Sequence, residues 1–162
     1  MKNRYGIDIW SDDNFFIEDG VVKVNYKPYP SLIKIVKDVR KQGFKGPLLL
    51  RFPHITKKQV KTLFNTFNAS IKEYDYKGKF NAVFPLKVNQ LPNFIHPLVS
   101  YGKKYNYGLE AGSKAELIIA MTYNNMGSPI TINGFKDKEM IHLCFIAKSM
   151  GHDITVIIEG LN

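Results

Sequence analysis

A single cysteine, Cys144, among 162 residues excludes an internal disulfide framework and any multi-cysteine metal site. That scarcity fits a reducing, cytoplasmic setting. Hydrophobic residues make up 44% of the chain, yet no apolar run approaches the roughly 18 residues that a membrane-spanning helix needs. The opening "MKNRYGIDIW" lacks the apolar core of a secretory signal. Acidic residues are also few, 14 against 23 basic ones, leaving a net charge of +9. The basic residues stand singly or in pairs such as Lys57-Lys58 and Lys103-Lys104. There is no run of five or six, and the interleaved Gly, Lys and Phe of an RNA-binding sheet is missing. The charge therefore reads first as a solvated basic surface, and the leading expectation is that neither nucleic acid nor membrane is a partner. No GxGxxG, P-loop or Ser-centred elbow occurs. The four histidines, His54, His96, His142 and His152, lack metal-ligand spacing and read as structural or surface residues.

What the chain does have is a beat. Strand-like runs begin at residues 80, 105, 129 and 153, which are 25, 24 and 24 residues apart. They read "FNAVFPLKV" (80–88), "YNYGLE" (105–110), "PITIN" (129–133) and "DITVIIE" (153–159). Segments of helical periodicity separate them: 91–102, 113–127 and 137–151. The middle one opens on Ser113 with Glu116 three residues later, the spacing of a capping box. Strands and helices alternating at this interval predict βα units on a parallel sheet. "ITVII" is apolar at successive positions, which predicts a sheet covered on both faces. A doubly wound sheet and a (β/α)₈ barrel both satisfy the pattern, although a barrel needs eight units and about 250 residues.

The N-terminal third differs. "YGIDIW", "NFFIEDG" and "VVKVNY" predict short strands of a small antiparallel element. Residues 29–43 predict a helix, 46–52 ("GPLLLRF") a strand, and 55–74 a long helix.

Within this frame the stretch "FNAVFPLKVNQ" puts Lys87 at the end of an apolar run. A lysine there often packs its stem on apolar neighbours and sends its head to water. In parallel βα architectures, however, ligands meet the carboxyl ends of strands. A lysine in a partly apolar pocket there loses some preference for its charged form and becomes a nucleophile toward a carbonyl. Glu110 ends the second run at the same mouth, and Asn133, Gly134 and Glu159 end the third and fourth. Each also has a structural reading, since strands commonly terminate in polar residues. Cys144, in "HLCFIA", reads as core packing.

"VFPLKVNQ", "GLEAGSKAEL" and "TINGFKD", taken in order, resemble the N-terminal part of bacterial biosynthetic arginine decarboxylases. "YGIDIWSDDNFFIEDG" and "PLLLRFPHI" are similar to the opening of that family, which often has Gly where this chain has Ser11. The resemblance covers essentially the whole chain. It implies half of a pyridoxal-phosphate-binding (β/α)₈ barrel, about four of eight units (29–162), preceded by β-domain strands (1–28). It implies that Lys87 is the Schiff-base lysine of pyridoxal 5′-phosphate and that Glu110 lies close to the cofactor ring. Magnesium is a further cofactor that it implies. The reaction would convert L-arginine to agmatine and CO₂, on the way to polyamines, in a cytoplasmic homo-oligomer. The ring-stacking histidine, phosphate-binding loop and pyridine-nitrogen acid of that family lie later in its sequence. The expectation is thus an N-terminal portion of a protein of several hundred residues, inactive alone. Two other readings stay open: decarboxylation of ornithine, lysine or a carboxylated polyamine on the same fold, and a non-catalytic basic module that binds nucleic acid.

Overall fold

The computed structural model describes residues 5–160, and the chain divides between Ile55 and Thr56 into two compact units. The first unit holds a β-hairpin, β1 (Phe15–Glu18) antiparallel to β2 (Val21–Val24). Asp19 and Gly20 join the strands with φ of 51° and 75°. Two left-handed residues match the natural twist of a tight hairpin, and Asp-Gly is a favoured pair for them. "YGIDIW", predicted as a strand, forms instead one helical turn, α1 (Ile7–Trp10). Gly6 at φ 62° turns the chain into it, Ile7 is buried, and the Trp10 indole N–H donates to the Tyr5 carbonyl at 3.0 Å. Helix α2 (Leu32–Lys41) starts at Ser31, whose hydroxyl accepts from the Lys34 N–H.

"GPLLLRF" (46–52) is the second departure: no strand forms there. A strand exists by pairing, and among the described strands none pairs with this segment. Leu49 is correspondingly exposed. The long helix α3 (Pro53–Glu73) follows as predicted.

The second unit contains the beat. Strands β3 (Val83–Pro85), β4 (Gly108–Ala111), β5 (Pro129–Ile132) and β6 (Asp153–Val156) form one parallel sheet in the order β3-β4-β5-β6. Neighbours in sequence are neighbours in the sheet, so these four strands contain none of the order reversal that marks a doubly wound fold. Helices α4 (Pro92–Gly102), α5 (Lys114–Tyr123) and α6 (Lys138–Ser149) connect them. Alternate strand residues Leu109, Ala111, Ile130 and Ile132 are fully buried and cluster with the buried Ile95 and Val99 of α4, Leu117 and Ala120 of α5, and Met140 and Cys144 of α6. Removing side chains of Leu or Ile size from water stabilises by about 1.5–3 kcal/mol each. This shared cluster is the core that fixes helix positions over one sheet face.

The other face carries the register row Pro85, Glu110, Thr131 and Thr155, none of them buried. Coverage of both faces, predicted from "ITVII", is therefore not what these residues show. The physical reason is that β6 ends at Val156: Asp153 and Thr155 alternate outward, while Ile157 and Ile158 lie beyond the strand. The apolar run was read as one strand but spans two environments.

Candidate active site

The carboxyl ends of the four parallel strands form one rim, built from the turns that leave them. Strand β3 ends at Pro85, and Lys87 occupies the exposed turn that follows. That turn is closed by the Val88 N–H donating to the Pro85 carbonyl at 3.1 Å, and it is tied to β4 by the Leu86 N–H donating to the Glu110 carbonyl at 2.9 Å. Leu86 is fully buried beneath it. Lys87 is thus one residue past a buried anchor, presented outward at the strand end. Glu110 pairs in register with Pro85, is half-buried and lies on the sheet face opposite the helices. The structure places both predicted residues on adjacent strand ends, though Lys87 sits in an exposed turn.

Two other lysines stand near the same rim, and both are held by carboxylates. Lys114, at the start of α5, pairs with Asp137 at 2.8 Å and with Glu139. Hydrogen bonds to Asp137, then Glu139, hold its ammonium above the usual lysine range. Lys136 pairs with Glu159 at 3.2 Å. Among the described residues Lys87 has no ion-pair or hydrogen-bond partner, and neither does the Glu110 carboxylate. Lys114 and Lys136 are thus tied up in ion pairs, whereas the Lys87 side chain is free to meet a ligand. The partly apolar pocket expected around it is not formed by the described residues, because the turn that carries it is exposed.

An open cleft of about 400 Å³ lies beside these groups, at the ends of β5 and β6. Gly134, Phe135, Lys136, Val156 and Glu159 line it, so two predicted rim residues, Gly134 and Glu159, meet there. Lys87 and Glu110 do not line it. Asn133 instead serves the sheet, its N–H donating to the Ala111 carbonyl at 3.0 Å. Gly134 is required for space: a Cβ there would stand 2.1 Å from the Gly112 carbonyl oxygen.

Sequence reasoning missed Gln90 and the role of Glu116. Ser113 does cap α5, accepting from the Glu116 N–H at 3.2 Å. The buried Glu116 carboxylate does not close the box on Ser113, however. Its Oε2 accepts from the Gly112 N–H at 2.6 Å and its Oε1 from the Gln90 side-chain amide at 3.0 Å. Motif spacing shows the Ser113/Glu116 pair but carries no signal for a partner 26 residues upstream.

The histidines behave as structural or surface residues. His54 stacks on Tyr26 with ring centroids 4.4 Å apart, and burial lowers its pKa. His96 and His142 are exposed and His152 is buried. Among the described residues no group of three His, Cys, Asp or Glu side chains is placed to hold a metal ion, so this part offers magnesium no such cluster. Cys144 is in the core as predicted, and burial raises its thiol pKa. No described helix is long and apolar enough to cross a membrane.

No protein-family profile matches the chain. It is 36% identical over 166 residues to the biosynthetic arginine decarboxylase of Prochlorococcus marinus (strain MIT 9515), covering 99% of this chain and 26% of that protein. It is 38% identical over 163 residues to the biosynthetic arginine decarboxylase of Geotalea daltonii, covering 97% of this chain and 26% of that protein. The crystal structure of the biosynthetic arginine decarboxylase SpeA from Campylobacter jejuni superimposes with a TM-score of 0.94 at 61% identity, over 98% of this chain and 27% of that one. The chain spans about a quarter of the length of these relatives.

Proposed function

We propose that this chain, similar along nearly its whole length to biosynthetic arginine decarboxylases, is the part of such an enzyme that carries its cofactor-anchoring lysine. The observation that carries the reading is Lys87: a lysine at a parallel-strand carboxyl end, within the "KVNQ" motif, with no partner among the described residues. A lysine side chain free of ion pairs, two residues past Pro85 whose register partner on the next strand is Glu110, suits an aldehyde cofactor. Pyridoxal phosphate, when bound, supplies that aldehyde and a ring that accepts the electron pair left as CO₂ departs from the substrate. Lys87 would hold it through the ε-nitrogen. Glu110 would present a carboxylate as hydrogen-bond acceptor on the adjacent strand.

The fold proposal is half of a (β/α)₈ barrel over 29–162, with 1–28 contributing strands to a β-domain. Sequential strand order and helices gathered on one sheet face support a barrel over a doubly wound sheet. The outer edge of β6 and the exposed Phe145, Ile146 and Ile158 nearby suit a further βα unit packed alongside. Cytoplasmic location, homo-oligomeric state and a magnesium requirement rest on the family resemblance.

The test is a substrate panel on the full-length protein loaded with pyridoxal phosphate. CO₂ release from L-arginine, with agmatine as the co-product and at least about tenfold preference in kcat/KM over ornithine and lysine, is the expected result. Faster turnover of ornithine or lysine would replace arginine as the substrate.

A further inference from the structure

Lys87 sits in a short span, 86–90, whose two ends are tied to the same neighbouring segment. At one end the Leu86 N–H donates to the Glu110 carbonyl of β4 at 2.9 Å. At the other the Gln90 amide donates to Glu116 Oε1 at 3.0 Å, while Glu116 Oε2 accepts from the Gly112 N–H at 2.6 Å. Glu116 is 8% exposed and lies in the first turn of α5, so it is a fixed point. Gln90 is exposed, its side chain bonded to nothing else among the described residues, and it begins the approach to α4. The two ties differ in kind. The backbone bond from Leu86 is part of the sheet and survives any side-chain change. The Gln90 bond depends on one side chain.

We infer that Gln90 is a positioning residue for Lys87: through its bond to Glu116 it locks the turn after β3 onto the β4–α5 junction and so sets where the lysine amine stands. The inference rests on the reading of Lys87 as the cofactor anchor. Its physical basis is that reactive groups displaced by about 1 Å lose rate by factors up to about a hundred, and that a buried carboxylate held by two donors is rigid enough to define a position. Both Glu116 oxygens are engaged: one by the backbone of the β4–α5 junction, one by the turn that carries Lys87. The pair is also invertible, because amide and carboxylate have the same shape, and the amide donates from its nitrogen while its oxygen still accepts as a carboxylate oxygen does.

That invertibility supplies the test, made on the full-length protein freed of cofactor and then mixed with pyridoxal phosphate. The first readout is the rate at which the visible absorbance of lysine-bound cofactor appears; the second is the split of turnover into kcat and KM. Gln90→Ala is expected to slow loading and lower kcat about tenfold, with KM for arginine within about twofold of the parent. Gln90→Glu sets two carboxylates against each other and is expected to be at least as slow. The double variant Gln90→Glu, Glu116→Gln restores the bond with donor and acceptor exchanged, and the amide introduced on α5 keeps its oxygen for the Gly112 N–H. It is expected to load and turn over within about threefold of the parent, far better than Gln90→Glu alone. A Gln90→Ala protein that loads at the parent rate would overturn the inference. So would a double variant no better than Gln90→Glu. Either failure leaves the anchor reading intact if Lys87→Ala abolishes the absorbance; absorbance that survives Lys87→Ala overturns the anchor reading itself.

Discussion

Lys87→Ala in the full-length protein is expected to abolish the visible absorbance of lysine-bound pyridoxal phosphate and to lower arginine decarboxylation by more than about a thousandfold, the scale on which removal of a covalent catalytic group acts. The size of the effect follows from what the residue does not do in the fold. Lys87 is exposed, lies in a turn and pairs with nothing among the described residues, so its removal leaves the core and the turn's backbone bonds in place. Circular dichroism and melting temperature are therefore expected to stay at parent values. A surface lysine of the snorkelling kind would tolerate replacement by arginine, which keeps the charge and the length. An anchor would not, because guanidinium stays protonated and offers no nucleophilic amine. Lys87→Arg is thus expected to fail as completely as Lys87→Ala. Retention of absorbance and turnover by either variant would reduce Lys87 to a solvated strand-end residue.

The second large effect is on stability. Gly108 opens β4 beside Pro129 of β5, and a Cβ added to it would stand 1.9 Å from the Pro129 carbonyl oxygen and 2.8 Å from the proline ring. Neither obstacle is the end of a flexible side chain; the first is backbone of the adjacent strand. Gly108→Ala must push β4 away from β5, disturbing the ladder that holds Leu109 against Ile130 and Glu110 against Thr131. Over-packing with backbone displacement costs about 3 kcal/mol here, at the upper end of its usual range. Alanine also stiffens the unfolded chain, a gain of about 0.4–1 kcal/mol that is too small to offset the clash. Urea denaturation of the second unit's core is the measurement. Gly160→Ala, in the same unit, is the control: a Cβ there meets nothing within 4 Å, and the change is expected to stay within about 0.5 kcal/mol. Equal midpoints for the two variants would show that β4 and β5 are not packed as closely as described.

Much of this was legible in the sequence because it is local. The 24-residue beat marked out four parallel strands and three helices. Each element announces itself by periodicity and by capping residues such as Ser113 and Asp137, which accept from the helix N–H groups three residues on. Lys87 and Glu110 were readable as strand-end residues for the same reason. What was not legible is what depends on partners far along the chain. "GPLLLRF" has the composition of a strand but no described partner to pair with, and "YGIDIW" closes into a helical turn because Gly6 takes a left-handed conformation that alternation alone does not reveal. The Gln90–Glu116 bond joins residues on either side of α4. Capping-box spacing pointed Glu116 toward Ser113, and only three dimensions turn it toward Gly112 and Gln90.

The central claim is that Lys87, among all the lysines of the chain, is where the cofactor attaches. The most direct measurement is to load the full-length protein with pyridoxal phosphate, reduce the linkage with borohydride, digest, and map the modified peptide by mass spectrometry. The expected result is a single stoichiometric phosphopyridoxyl adduct on Lys87. An equally stoichiometric adduct on another lysine, with Lys87 unmodified, would contradict the claim.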